Sequence, residues 1–250
     1  MNNTLFNLKG KTFIVTGASS GIGYEICKTI ALMNGNYIAV ARRENLLKDL
    51  VKDFPTEKCT YIVADLSHKE GIDTVLNHVE KIDGVVHSAG IVKLAPLKFY
   101  KEELLTEMRT INYDSIVMLM NSLHKAKKFN PMSSTVLISS ISGVYGMKGN
   151  GIYAGLKGAL IAISKVWANE LAQNKSRVNV VSPGMVRTEI TEESIRSLSA
   201  EVIEADEARY PLGYGNAEDV AYPVTFLLSD AAKWITGQNI ILDGGRTACI

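Results

Sequence analysis

Tyr153 and Lys157 stand four residues apart in a segment, Ile152 to Leu171, whose pattern reads as helix. That spacing puts a phenol and an ammonium on one face, a turn apart. A phenol is a poor base at neutral pH because its ordinary pKa is about 10. An ammonium beside it favours the phenolate, which equips the pair to exchange a proton with an oxygen. In a reduction the phenol gives its proton to a developing alkoxide; in an oxidation it takes one. A lone Tyr-x-x-x-Lys also occurs on ordinary helices, so the pair needs company. Ser139 to Ser142 offers hydroxyls that could steady an oxygen, or simply loop serines, and Asn112 by itself reads as a buried helix residue.

A second group lies near the start of the chain. Thr16-Gly17-Ala18-Ser19-Ser20-Gly21-Ile22-Gly23 falls between a first strand and a first helix. Gly17 suits a tight turn, Gly21 a backbone that approaches a pyrophosphate, and Gly23 close packing of helix on sheet. The helix start then offers free N–H groups and the positive end of its dipole to phosphates. The glycines read G-x-x-x-G-x-G, not the G-x-G-x-x-G of the common nucleotide loop.

These groups must be held by a scaffold, and the rest of the chain reads as one. Short Val/Ile-rich runs, from Thr12-Phe13-Ile14-Val15-Thr16 to Asn239-Ile240-Ile241-Leu242, alternate with longer helical patterns. Continuous apolar strands indicate burial on both faces, as in a parallel sheet. The expected fold is a doubly wound α/β Rossmann sheet of about seven parallel strands with helices on both faces, in one domain over 1–250. The Glu-rich stretch from Glu189 onward looks helical and suits a lid over 189–213.

The bulk numbers exclude other classes. The 250 residues are 46% hydrophobic and 21% charged with a formal net charge of +1, which points to neither nucleic acid nor an anionic membrane surface. No apolar run is long enough to span a bilayer, and Met1 to Lys11 lacks the apolar core of a signal peptide. Cys27, Cys59 and Cys249 are odd in number and widely spaced, with no metal pattern. A cytoplasmic protein that carries no metal is the expectation.

Taken in order, the motifs resemble the short-chain dehydrogenase/reductase family in its compact single-domain branch. The marks are TGASSGIG at Thr16 to Gly23, Asp65-Leu66 after the third strand, and His87-Ser88-Ala89-Gly90 for the usual Asn-Asn-Ala-Gly. Asn112, Ser140, Tyr153, Lys157 and Pro183-Gly184 follow. The resemblance implies a nicotinamide cofactor held by Gly17, Ser19, Ser20, Gly21, Ile22 and Gly23. It also implies Asp65 and Leu66 at the adenine, Ser88, Ala89 and Gly90 along the cleft, and Pro183, Gly184, Val186 and Thr188 at the nicotinamide. It implies that Ser140 binds the substrate oxygen, Tyr153 transfers the proton, and Lys157 also holds the ribose. Asn112 then binds a water that links Lys157 to solvent.

The family reads cofactor identity at the end of the second strand, where this chain has Arg42-Arg43. A carboxylate there would repel the extra phosphate of NADP, whereas two guanidiniums can grip it, so NADP(H) is the expected cofactor. The implied activity is reduction of a ketone to a secondary alcohol, with a 3-oxoacyl thioester, carrier-bound or free, as the leading substrate. A keto-sugar, polyol or small ketone is the alternative, and an idle NADP(H)-binding redox sensor is the reading from another class. The resemblance also implies a homotetramer or homodimer. His87-Ser88 departs from the paired asparagines, and His87 is expected to be a satisfied structural residue.

Overall fold

In a computed structural model, residues 6–189, 191 and 199–248 are described. The apolar runs become strands because each is covered from two sides. β1 (Thr12–Thr16), β2 (Asn36–Ala41), β4 (Gly84–His87), β5 (Ser134–Ile138) and β6 (Arg177–Pro183) are buried almost throughout. β3 (Thr60–Val63) and the last strand (Asn239–Leu242) are partly exposed and form the two edges. Side chains alternate between faces. Phe13 and Val15 join a core with Ile26, Ile30, Val224 and Leu227, while Ile14 joins one with Ile116, Leu119 and Leu160 on the opposite face.

The strand order is β3-β2-β1-β4-β5-β6-β9, with every pairing parallel and β9 the strand Asn239–Leu242. Here β7 (Val186–Arg187) and β8 (Gly215–Asn216) form a separate small parallel pair that the sequence reading did not foresee. Helices α1 (Gly21–Leu32) and α2 (Glu44–Asp53) follow β1 and β2. Then come α3 (Lys69–His78), α4 (Glu102–Arg109), α5 (Ser115–Lys125) and α6 (Gly151–Leu171). They are followed by α7 (Ala200–Glu207) and α8 (Ala217–Leu228). The strand order reverses between β1 and β4, and a crevice opens there beyond the carboxyl ends of the strands.

The helix that begins at Glu102 is interrupted. Thr110–Asp114 forms a π-helical turn between α4 and α5, and Asn112 sits at its centre, fully buried. A turn of this kind frees a backbone carbonyl from the regular ladder. Here the Asn112 amide takes up the Met108 carbonyl at 2.9 Å. Of the proposed lid, α7 is described, whereas 190 and 192–198, with Glu192 and Glu193, lie outside the described residues, as does Cys249. No helix of the described residues is long and apolar enough to cross a membrane, and no metal-ligating cluster occurs among them.

Candidate active site

The crevice at the strand reversal is a cleft of about 420 Å³. Its walls gather side chains and backbone from β1, β2, β3, β4 and their following loops. Gly17, Ser19, Ser20, Gly21 and Ile22 line one end together with Arg42 and Arg43. Asp65, Leu66, Ser88, Ala89, Gly90 and Thr188 line it as well. Gly23, Pro183, Gly184 and Val186 do not. A Cβ on Gly23 would lie 2.4 Å from the Gly17 carbonyl, so this glycine serves helix packing. Val186 is buried in the core, and a Cβ on Gly184 would lie 2.9 Å from the Tyr210 ring.

Gly17 is required twice over. Its φ of +68° is in the left-handed region, and a Cβ there would lie 2.8 Å from the Ala89 backbone nitrogen. Gly17→Ala is expected to destabilise the fold by about 2 kcal/mol. It should also weaken dinucleotide binding at least tenfold by pushing the loops apart. A thermal melt and a cofactor titration would check both, and wild-type values for the two would contradict this account.

At the head of α1, Ser20 is the N-cap but makes no side-chain cap, leaving the first-turn N–H groups without that partner. The Arg43 guanidinium instead binds the Ser20 hydroxyl, the Ser19 hydroxyl at 3.1 Å and the Glu189 carboxylate at 3.2 Å. Neither Glu44 nor Asp49, the neighbours in sequence, holds it. Arg42 reaches Asp65 at 3.8 Å, and Asp65 also accepts from the Ser67 N–H and hydroxyl. Those bonds and Arg42 hold the Asp65 carboxyl below its usual range, although burial opposes them.

The residues expected to transfer the proton, Ser140, Tyr153 and Lys157, lie outside the lining of the crevice. Lys157 is buried, and its Nζ donates to the Ile138 carbonyl at 2.8 Å and lies 5.5 Å from the centre of the Tyr153 ring. The same Nζ would be 3.5 Å from a Cβ on Gly90, so it reaches the cleft wall. Ser140 lies close enough to Tyr153 to favour its ionised form. The predicted pairing of phenol, ammonium and serine is therefore assembled.

Its electrostatics differ from the expectation. Burial pushes the Tyr153 phenol up to about 12, with Ser140 the only opposing influence. Burial also pulls Lys157 down to about 8. The ammonium is turned to the Ile138 carbonyl, and burial decides the position of the phenol.

The three neighbouring serines have separate jobs. Ser139 donates to the Lys157 carbonyl at 2.8 Å, tying the loop to α6. The Ser142 N–H donates to the Ser140 Oγ at 3.1 Å, and the two hydroxyl oxygens lie 3.2 Å apart. Asn150, buried at the head of α6, donates to the Ser142 hydroxyl at 2.8 Å. Ser142 and Asn150 thus set the position of Ser140, which sequence reasoning missed. A polar residue just before the Tyr153 helix was the available signal.

Asn112 is tied to the backbone through both ends of its amide. Its two amide protons go to Met108 and Ile91 carbonyls and its Oδ1 accepts the Ile91 N–H at 3.1 Å. A Cβ on Gly90 would lie 2.7 Å from that oxygen, which explains the glycine. His87 is only half satisfied: Nδ1 pairs with the Thr16 hydroxyl at 2.9 Å, and Nε2 has no partner among the described residues. Burial, with Lys157 nearby, pulls its pKa to about 3, so the ring is neutral.

Comparison with known proteins places this geometry. A family model described as "Enoyl-(Acyl carrier protein) reductase" matches residues 17–247. A 3-oxoacyl-(acyl-carrier-protein) reductase of Thermotoga maritima is 36% identical over 95% of this chain and 98% of its own length. The chain belongs to the short-chain dehydrogenase/reductase family. It is an oxidoreductase of the class acting on CH–OH and C=O groups. The Escherichia coli K12 protein of the same name is 32% identical over 96% of this chain and 98% of its own. Among solved structures, a putative NAD(P)-dependent gluconate 5-dehydrogenase from Beutenbergia cavernae with bound NADP matches at TM-score 0.90 and 30% identity. That match covers 98% of this chain and all of the other.

Proposed function

We propose that this protein is an NADP(H)-dependent reductase that converts a ketone to a secondary alcohol, a 3-oxoacyl thioester being the leading substrate. The observation that carries the reading is the grouping of Ser140, Tyr153 and Lys157, with Lys157 reaching Gly90 on the wall of a cleft that runs to the glycine loop and two arginines. The residues present fit the cofactor. The loop leaves no room for a Cβ at Gly17, the α1 N–H groups lack a side-chain cap, and Arg42 is mostly exposed at the rim. When bound, NADPH supplies the hydride.

The chain's own part is to hold the carbonyl oxygen and to give it a proton. Ser140 steadies that oxygen, itself braced by Ser142 and Asn150. Tyr153, protonated at neutral pH, passes its proton to the oxygen as the carbon is reduced. Lys157 faces the phenolate that remains and favours it while charged. Because both Asn112 amide protons are committed, a water relay to Lys157 would rest on the Asn112 Oδ1 or on backbone groups of the π turn.

Arg42 and Arg43 are assigned to the 2′-phosphate, which would compete with Glu189 for Arg43. Arg42→Asp is expected to raise the KM for NADPH by about 10- to 100-fold, one charged hydrogen bond's worth, and that for NADH far less. Steady-state kinetics with both cofactors test this, and a wild-type preference for NADH would sink the NADP(H) assignment. The thioester assignment rests on the names of the relatives and is tested by an NADPH-consumption panel of acyl thioesters, keto-sugars and diketones.

A keto-sugar acid is the second reading, favoured by the likeness to the gluconate dehydrogenase structure. A cytoplasmic homotetramer or homodimer belongs with either reading. The apolar hollow formed by Tyr100, Leu105, Ile152, Gly155 and Leu156, between α4 and α6, supports assembly there.

A further inference from the structure

We propose that Arg246 recognises an oxyanion on the substrate, a carboxylate or phosphate carried beyond the reacting carbonyl. The proposal rests on the reductase reading above and deepens it.

Arg246 stands between the loop that follows β5 and the segment that follows α7. Its guanidinium carbon lies 4.9 Å from the centre of the Tyr145 ring and 5.8 Å from that of Tyr210. Tyr145 is in the loop that carries Ser140, its N–H donating to the Ile141 carbonyl at 2.7 Å. Tyr210 abuts Gly184, the residue after β6, and packs edge-on against Tyr214. Since β5 and β6 are neighbours, an arginine between these loops stands over the carboxyl ends of the strands that position Ser140 and Gly184.

Its neutralisation is unusual for this chain. Among the described residues, Arg42, Arg43, Arg109, Arg187 and Arg209 each have a carboxylate within 4.0 Å. Arg177 is spent on the carbonyls of Leu227 and Ser229 at the end of α8. Arg246 has neither kind of partner among the described residues. The nearby Asp243 carboxylate is occupied by the N–H groups of Gly245 and Thr247, which shape the turn that presents Arg246. Aromatic rings engage the flat faces of a guanidinium and restrict its motion, yet leave its N–H edge free to fork onto an oxyanion. A cation held this way and half-buried gains more from an anion than a mobile surface lysine does.

The test pairs charged and neutral ketones with the purified full-length enzyme and NADPH. Levulinate is compared with methyl levulinate, and dihydroxyacetone phosphate with dihydroxyacetone. The first pair reports a carboxylate and the second a phosphate. Arg246→Gln is expected to raise KM for at least one charged ketone by about 10- to 100-fold and to leave its neutral partner unchanged. Arg246→Lys should recover part of the loss. Equal losses for charged and neutral ketones, or none, would overturn the assignment. Turnover of the neutral ketones reports on the reductase reading independently. Should no ketone turn over, thermal shifts by levulinate and dihydroxyacetone phosphate decide. Stabilisation of the wild type that Arg246→Gln loses supports the site, and its absence overturns it.

Discussion

Tyr153→Phe is expected to lower ketone turnover by about 10²- to 10⁴-fold, the usual contribution of a positioned general acid, with NADPH affinity unchanged. The ring itself packs beside Lys157, and Phe preserves that packing while removing the phenolic proton. Because burial holds the phenol near 12, it stays protonated through the neutral range and its own ionisation does not limit reduction there. The measurement is single-turnover reduction together with a fluorescence titration of NADPH. Retained turnover would end the mechanism, whereas lost binding would show that the ring supports the cleft rather than the chemistry. Ser140→Ala should be milder, since the phenol still meets the oxygen.

Lys157→Met is expected to do two opposite things: abolish useful turnover and make the protein more stable. Burial holds the ammonium's pKa at about 8 against an ordinary 10.5, so keeping it charged in the fold costs about 3 kcal/mol. Loss of its charged bond to the Ile138 carbonyl offsets roughly 2 kcal/mol of the gain. A net gain of about 1 kcal/mol corresponds to roughly 2 to 4 °C in Tm for a chain of this size.

The sign follows from linkage. Below about pH 8 the lysine is charged in both states and the full cost is present. Between about 8 and 10.5 the folded protein sheds the proton before the unfolded chain does, so wild-type stability rises and the variant's advantage shrinks. Melts at pH 7 and pH 10 would show this, and a variant less stable at pH 7 would refute the desolvation account. By the same titration, wild-type kcat/KM for reduction should fall as pH rises through about 8, because a neutral amine no longer favours the phenolate left after proton donation.

Much of this protein was legible from local pattern alone. Unbroken Val/Ile runs specify buried parallel strands, glycine spacing specifies the phosphate-facing loop, and four-residue spacing places Tyr153 and Lys157 on one side of a helix. Each is a consequence of backbone geometry over a few residues, which any fold containing them must respect.

What lay beyond the sequence depends on which distant segments meet. Arg43 is held by Glu189 rather than by its neighbours because the chain returns to the strand reversal after β6. Asn112 turns inward because a π turn intervenes, and Ser140 is set by Asn150 across a loop. The upward shift of Tyr153 and the downward shift of Lys157 arise from desolvation, a property of the packed interior. Spacing along the chain fixes direction over one helical turn; the order of strands in the sheet and the depth of burial decide partners and proton affinity.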